Sequence, residues 1–290
     1  QKSQQLTGAK NSIAIMGGHF LQRGEPAIFN KWLRTRMALS AGIDLVIELP
    51  FIFASQDARG FAHAGIRLLN ALGIVDYVTF GCEHNQIEDL LKIANLLKKE
   101  PTYFQQILRE EVKRGNSFPK IREKAILKYF QKYSKEFKNL SVNKVTQIIN
   151  QPNNILALEY LISLKKLNSP IKPFPIQRVG SEYHQNKLEG HYSSATAIRK
   201  KIVNIYLRKN TVSFQSLEKT LPLSSYRIIS HEFKNSLNPV TLACFEQAFL
   251  YQLRRMEISN IKKIHGIQEG LENRLKSSAM SSNSIENLIK

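Results

Sequence analysis

Short apolar segments alternate with helical patterns in the first third of the chain, and this alternation constrains the fold more than any other sequence feature. Each segment is closed by glycine or proline, as buried strands often are. Nearly continuous apolar strands separated by helices are typical of a parallel sheet covered by helices. The sequence therefore predicts an α/β fold. The predicted strands are Asn11–Met16, Asp44–Leu49 and Tyr77–Phe80, and the predicted helices are Lys31–Ala41 and Ala62–Leu72.

The rest of the chain is predicted to be mostly helical. The helical pattern of Ile87–Tyr133 is broken by Pro101 and again at 115–119, and a last strand is predicted at Ile176–Val179. Strand signals stop at about residue 206. We therefore expect two domains, 1–205 and a helical C-terminal domain at 206–290. The remaining predicted helices are Asn154–Lys165 with an asparagine cap, Ala195–Ile205, Phe245–Arg255 and Gly270–Ser278.

The charge balance indicates a polyanionic partner. Forty-two Lys and Arg residues against 23 Asp and Glu residues give a formal net charge of +19. Nucleic acid is the first candidate and an anionic membrane surface the second, while a general enrichment in lysine is the alternative explanation. No apolar run reaches the length that a membrane span needs. Cys82 and Cys244 have no metal-ligand spacing and are expected to be free thiols in a reducing cytoplasm.

Several segments combine flexible backbone with polar side chains at predicted strand ends and helix starts. Glycines there allow a ligand close to the backbone, and arginines can pair with phosphate. Each segment also has a structural interpretation as a turn, a helix cap or an exposed cation. The lone Glu83-His84 pair lacks metal-site spacing, and the sequence suggests no covalent nucleophile. The candidates are the GGH segment 17–19 with Arg23, the segment 80–84, the asparagines of PNNI at 152–155, Arg178, and the SSATAIRK segment at 193–200.

Long blocks of the sequence resemble the bacterial tRNA(Met) cytidine acetate ligases. The first block is GGHFLQRGEPAIFNKWLRTRMALSAGIDLVIELPF. It is followed in the same order by FGCEH, PNNILALEYL, QRVGSEYH, SSATAIRK and IHGIQEGLENRLK. The resemblance covers most of the chain, and its ordered blocks are more specific than any single motif.

The resemblance implies a Rossmann-like nucleotidyltransferase domain with a helical C-terminal region that binds tRNA. It also implies that ATP, with Mg²⁺, and acetate form acetyl-adenylate, whose acetyl group passes to the wobble cytidine of elongator tRNA(Met). The matching ATP-binding positions are Gly81, Asn153, Arg178, Ser194, Thr196 and Arg199. Within PNNI the family position falls on Asn153 or Asn154, and we prefer Asn153. No protein-bound metal site, no membrane association and a cytoplasmic location are expected.

The family's HxGH-type motif does not occur in the sequence. Gln1 stands where the helix after that motif is expected, and the GGH segment is a different element. The chain is therefore expected to be either a fragment of an active enzyme or an inactive remnant. Two alternatives follow: a non-catalytic tRNA-binding protein derived from the ligase, or another small-molecule adenylyltransferase.

Overall fold

The computed structural model describes residues 2–137, 140–178, 194–207, 212–234, 238–267 and 270–289. Its strands are β1 (Ile13–Gly17), β2 (Leu45–Leu49), β3 (Tyr77–Cys82) and β4 (Lys172–Gln177). The helices, in chain order, are α1 (Lys2–Thr7), α2 (Lys31–Ser40), α3 (Phe51–Ala54), α4 (Ala58–Leu72), α5 (Ile87–Lys99), α6 (Thr102–Lys113), α7 (Phe118–Lys132), α8 (Val142–Asn150), α9 (Pro152–Lys166), α10 (Ala195–Leu207), α11 (Leu223–Lys234), α12 (Glu246–Arg255), α13 (Ile258–Ile261), α14 (Leu271–Ser281) and α15 (Ile285–Ile289). Single turns of 3₁₀-helix lie at Ser134–Phe137 and Leu242–Phe245, and a longer one at Val212–Leu217.

The strand pairing is parallel, which confirms the predicted α/β class. β1 pairs with β2 from Ile13–Leu45 to Gly17–Leu49, and β3 pairs with β4 from Tyr77–Lys172 to Cys82–Gln177. Within the described residues the strands form these two separate pairs and not one continuous sheet. The other edges of β1 and β3 both line a large cavity, which lies between the two pairs.

Two details of the prediction are corrected. The last strand begins at Lys172, four residues before the predicted start at Ile176, and Val179 lies outside the described residues. The prediction missed Lys172–Pro175 because two prolines interrupt the apolar pattern. The N-cap of α9 is Gln151, with Pro152 in the first turn, so the predicted asparagine cap is wrong. The fixed φ of proline suits that first helical position.

The principal core lies where α4, α5 and α9 cover β3 and β4. Ile66, Leu90, Ile93 and Leu161 are at most 1% exposed there, and α6 to α8 extend the same cluster. Local signals set the helix ends: Asp57 caps α4 through a hydrogen bond from Gly60 N, and Gly73 ends α4 in the left-handed conformation that glycine tolerates. The core therefore holds the start of α9 beside the end of β3.

The C-terminal part of the described chain is helical, as expected. A second apolar cluster joins Ile28, Phe29 and Leu33 to Ile202 and Ile205 of α10 and to Ile229 of α11. A further small cluster holds Leu253, Ile261 and Ala279 of the last helices together. The position chosen for the domain boundary, after residue 205, falls inside α10, and the division into two domains stays a prediction.

A buried carboxylate joins α6 to α7. The side chain of Glu111 is 0% exposed and lies 2.7 Å from Arg114, 2.9 Å from Lys124 and 3.0 Å from Lys128. Asn116 donates a further hydrogen bond of 3.0 Å. The hydrogen bonds from Lys124 and Lys128 lower the pKa of Glu111 from 4.5 to about 2. This carboxylate is consequently stabilised in its charged form.

The lowered pKa of Glu111 predicts acid-sensitive stability. Its contribution is complete above pH 4.5, the ordinary value, and is lost as the pH falls towards 2, because protonation then favours the unfolded chain. Glu111→Gln should lower the midpoint of thermal unfolding at pH 7. It should also make the protein lose less stability between pH 4.5 and 2 than the wild type loses. The control is Glu110→Gln, at an exposed position of the same helix. Identical pH profiles for the two variants in differential scanning calorimetry would contradict the interpretation.

Candidate nucleotide-binding site

A cavity of about 800 Å³ opens between the β1–β2 and β3–β4 pairs. Ile13–Ile15 of β1 and Tyr77–Gly81 of β3 form two of its walls. Asn153 and Tyr160 of α9 and the side chain of Arg178 also line it. Most of its lining is apolar surface of the strands and helices, and polar groups lie at both ends. Asn153 and Arg178 lie near the carboxyl end of β3, which is the end where open α/β sheets bind ligands.

Three of the predicted ATP-binding residues meet in this cavity: Gly81, Asn153 and Arg178. The Arg178 backbone N–H donates to Cys82 O at 2.9 Å and so extends the β3–β4 pairing by one residue. A Cβ placed on Gly81 would lie 3.4 Å from Arg178 Cγ. The stem of the Arg178 side chain therefore lies against Gly81, beside the cavity that both residues line.

Asn154 joins the end of β3 to the start of α9. Its Oδ1 accepts hydrogen bonds from the backbone N–H groups of Glu83, at 3.0 Å, and His84, at 2.9 Å. Its Nδ2 donates to Gln151 Oε1 at 2.9 Å. The residue is 0% exposed. Because the amide is buried and engaged in the protein, it does not offer a group to a ligand, whereas the neighbouring Asn153 lines the cavity.

The carboxylate of Glu83 also connects the end of β3 to the start of α9. Its Oε1 accepts from Asn153 Nδ2 at 2.5 Å, and its Oε2 accepts from Asn154 N at 2.9 Å. Gln177 Nε2 donates to the Glu83 carbonyl oxygen at 3.0 Å. In the sequence, Glu83 belongs to the candidate segment 80–84. The structure instead uses its carboxylate to hold the first turn of α9.

His84, whose backbone N–H is held by Asn154, also belongs to an ion-paired group with Asp89 of α5 and Lys144 of α8. His84 Nε2 lies 3.0 Å from Asp89 Oδ2, and Lys144 Nζ lies 2.7 Å from the same oxygen. Burial alone would raise the pKa of Asp89, but hydrogen bonds from Lys144 and His84 outweigh it and the pKa is lowered. Burial, followed by the charge of Glu83, raises the pKa of the Cys82 thiol to about 11. Cys82 is therefore a neutral packing residue at pH 7.

The described part of the chain shows neither a metal-ligand cluster nor a membrane-spanning helix. Within it, no group of three or more His, Cys, Asp and Glu side chains could hold a metal ion. None of the helices found there is both long and apolar enough to span a bilayer. Both cysteines are free, with Cys82 buried and Cys244 exposed.

The other predicted ATP-binding residues, Ser194, Thr196 and Arg199, lie at the start of α10 and do not line the cavity. Ser194 Oγ accepts from Ala197 N at 3.1 Å, which is a helix-capping contact, and Thr196 is exposed. Arg199 pairs with Glu25 at 2.8 Å and donates to Pro26 O at 3.3 Å. The start of α10 is thereby attached to the loop that follows the GGH segment.

A second guanidinium lies close to Arg199. Arg34 donates to the carbonyl oxygens of Gly17 and Gly18 at 2.9 and 2.6 Å, at the carboxyl end of β1. Burial, and then the charge of Arg199, lower the pKa of Arg34. Two guanidinium groups at a strand end and a helix N-terminus form a positive region suited to phosphate. No sequence pattern singled out Arg34, because its role depends on the packing of α2 against β1.

Leu156 and Tyr160 were also missed, although they line the cavity. They follow Asn153 at the i+3 and i+7 positions, which share one face of a helix. Burial raises the pKa of Tyr160 to about 12. The helical periodicity would have identified both residues once Asn153 was known to face the ligand.

Comparison with known proteins agrees with this geometry. The family described as HIGH Nucleotidyl Transferase matches residues 1–290, which gives the class of protein. The tRNA(Met) cytidine acetate ligase of Thermoanaerobacter sp. (strain X514) is 41% identical over 290 residues, covering 100% of this chain and 68% of the relative. The enzyme of the same name from Halothermothrix orenii is 40% identical over 291 residues, covering 100% of this chain and 66% of the relative.

Two solved structures are similar over nearly the whole chain. The apo structure of Thermotoga maritima TmcAL superposes with a TM-score of 0.90 at 36% identity, covering 99% of this chain and 65% of that one. The structure of the same protein bound with alpha-thio ATP gives 0.87 at 36% identity, with coverages of 99% and 64%. This chain belongs to the tRNA(Met) cytidine acetate ligase family of HIGH nucleotidyltransferases. It spans about two thirds of the length of these relatives.

The double role of Asn154 predicts that its removal destabilises the protein. Asn154→Ala leaves the Glu83 and His84 N–H groups without their acceptor, at a cost of roughly 1–3 kcal/mol in the free energy of unfolding. Asn143→Ala, at an exposed position on α8, is the matched control and should change it by about 0.5 kcal/mol or less. Urea denaturation monitored by circular dichroism measures both. Equal midpoints for the two variants would show that the Asn154 contacts do not stabilise this turn.

Proposed function

We propose that the protein activates acetate with ATP and transfers the acetyl group to the wobble cytidine of elongator tRNA(Met). An acetate oxygen attacks the α-phosphorus of ATP, and pyrophosphate leaves. The N4 amine of cytidine then attacks the acetyl carbonyl of the resulting mixed anhydride. The products are AMP and N4-acetylcytidine, with loss of one proton from the amine.

The observation that carries this proposal is the meeting of Gly81, Asn153 and Arg178 in one cavity at the end of a parallel strand. Arg178 supplies a guanidinium that can pair with phosphate oxygens, and Asn153 supplies an amide for the nucleoside. Gly81 lies against the stem of Arg178 at the same end of the cavity. The likeness to a relative crystallised with alpha-thio ATP supports ATP as the nucleotide.

The reaction requires stabilisation of phosphate charge more than it requires a nucleophile from the protein. Arg34 and Arg199 place two guanidinium groups at the end of β1 and the start of α10, where phosphate would take the place of Glu25 on Arg199. We assign them, with Ser194 and Thr196, to the phosphate chain of ATP, which brings Mg²⁺ with it as the usual complex. Few protein ligands are needed, because Mg²⁺ retains water and binds the phosphates directly.

The tRNA assignment rests on charge and on the names of the relatives. A net charge of +19 suits a backbone of phosphates. A base in an anticodon loop is single-stranded and can enter a pocket. A tRNA-modifying enzyme of this family is expected in the cytoplasm.

The alternatives differ in what they bind. A non-catalytic descendant of the ligase would bind tRNA without binding nucleotide. Another small-molecule adenylyltransferase would release pyrophosphate from ATP without tRNA and without acetate. A substrate panel monitored for pyrophosphate separates these functions from the ligase.

The test joins the chain to an N-terminal segment carrying the family's HxGH motif and supplies it with ATP, Mg²⁺, radiolabelled acetate and elongator tRNA(Met). Labelled adenylate and N4-acetylcytidine are followed by chromatography and mass spectrometry. Acetyl-adenylate should form without tRNA, and acetylcytidine only with it. Arg178→Ala should lower the affinity for ATP by roughly tenfold or more, because a charge-assisted contact is lost. Arg109→Ala, at an exposed position of α6, is the matched control and should leave the affinity unchanged.

Two results would contradict the proposal. Protein with the HxGH segment restored that binds ATP but never consumes acetate is not an acetate ligase. Equal affinity for ATP in the Arg178→Ala and Arg109→Ala variants would show that the cavity is not the nucleotide site.

A further inference from the structure

The hydrogen bonds at Glu83 determine which way the Asn153 amide points. An ionised carboxylate only accepts hydrogen bonds. Oε1 takes one from Asn153 Nδ2 at 2.5 Å, and Oε2 takes one from the backbone N–H of Asn154 at 2.9 Å. The opposite orientation of the Asn153 amide would place its oxygen against a carboxylate oxygen. Nδ2 must therefore face Glu83, and Oδ1 is directed away from it.

Glu83 itself has little freedom to move. Its backbone N–H is held by Asn154 Oδ1, and its carbonyl oxygen accepts from Gln177. The acceptor, Asn154, is 0% exposed. A carboxylate attached to a backbone held at both ends is a rigid reference for the Asn153 amide.

We propose that Glu83 is a positioning residue that selects the nucleotide base, by keeping the Asn153 amide oriented with its oxygen available as an acceptor. This inference rests on the proposed nucleotide site, since Asn153 lines the same cavity as Gly81 and Arg178. An acceptor at this point matches the 6-amino group of adenine. A 6-oxo purine presents an acceptor there, and the two oxygens would repel each other.

The substitution Glu83→Gln tests the orientation because it changes one acceptor into a donor. The Asn154 N–H belongs to the helix backbone and cannot turn, so the glutamine oxygen must face it. The glutamine amino group then faces Asn153, whose side-chain amide can rotate by half a turn and present its own oxygen to it. Asn153 would consequently offer an NH₂ donor to the ligand, and the preference should move towards a 6-oxo purine.

The experiment measures the dissociation constants of ATP and inosine triphosphate by calorimetry, because these nucleotides differ at the base edge that carries the 6-substituent. Wild-type protein should bind ATP roughly tenfold or more tightly than inosine triphosphate. Glu83→Gln should shift this ratio by a similar factor towards inosine triphosphate. Glu88→Gln, at an exposed position on α5, is the matched control and should keep the wild-type ratio.

A double-mutant cycle separates positioning from a general structural effect. In an Asn153→Ala background the amide is gone, so adding Glu83→Gln should leave the ATP to inosine triphosphate ratio unchanged. Glu83→Ala is the second variant if Glu83→Gln does not fold, and it should bring the ratio close to one without reversing it. An equal loss of affinity for both nucleotides in Glu83→Gln, or a shift that persists without the Asn153 amide, would overturn the proposal.

The same measurements test the nucleotide site and the role of Glu83 separately. Wild-type protein that binds neither nucleotide removes the nucleotide site, and the role of Glu83 with it. Wild-type protein that prefers ATP, together with a Glu83→Gln variant of unchanged ratio, leaves the nucleotide site intact and removes only the role of Glu83.

Discussion

The candidate site depends on the buried carboxamide of Asn154. One side chain satisfies two backbone N–H groups after β3 and also holds the residue before α9. These contacts set the distance between a strand end and a helix start that lie about 70 residues apart in sequence. Gly81 lies near the end of β3, Asn153 lies in the first turn of α9, and Arg178 follows β4. All three therefore lie beside this junction. A buried polar group with all its partners present is rigid, and this rigidity keeps a polar site in register.

The sequence was sufficient for the α/β class, because β1, β2 and β3 are apolar segments closed by glycine or proline. It was also sufficient for the helix breaks at Pro101 and Gly115, where backbone chemistry is local. The start of β4 was not found, because Pro173 and Pro175 mask its apolar pattern and its pairing with β3 is a long-range contact. No local sequence pattern predicts that the four described strands form two separate pairs either.

Some residues of the candidate site could likewise be predicted from the sequence, and others could not. Gly81, Asn153 and Arg178 came from ordered sequence blocks, and the structure brings them into one cavity. The preference for Asn153 over Asn154 agrees with burial, because only Asn153 lines that cavity. Arg34 and the orientation imposed by Glu83 could not be anticipated, since each depends on which atom of a neighbour faces it. Residue types indicate possible chemistry, whereas hydrogen-bond direction appears only with the packed structure.

The parallel pairing of β3 with β4 has a consequence for the order in which the molecule assembles. A parallel pair cannot be joined by a tight hairpin, and here the connection contains α5 to α9. Closing so long a loop costs entropy before any pairing contact is gained. Gly81 and Arg178 can therefore meet only after the chain that forms those five helices and β4 has been made. A ribosome-bound chain that has not yet emerged past β4 has the glycine and the asparagines but lacks Arg178, so any ligand contact made by this arginine waits for completion of this half of the molecule.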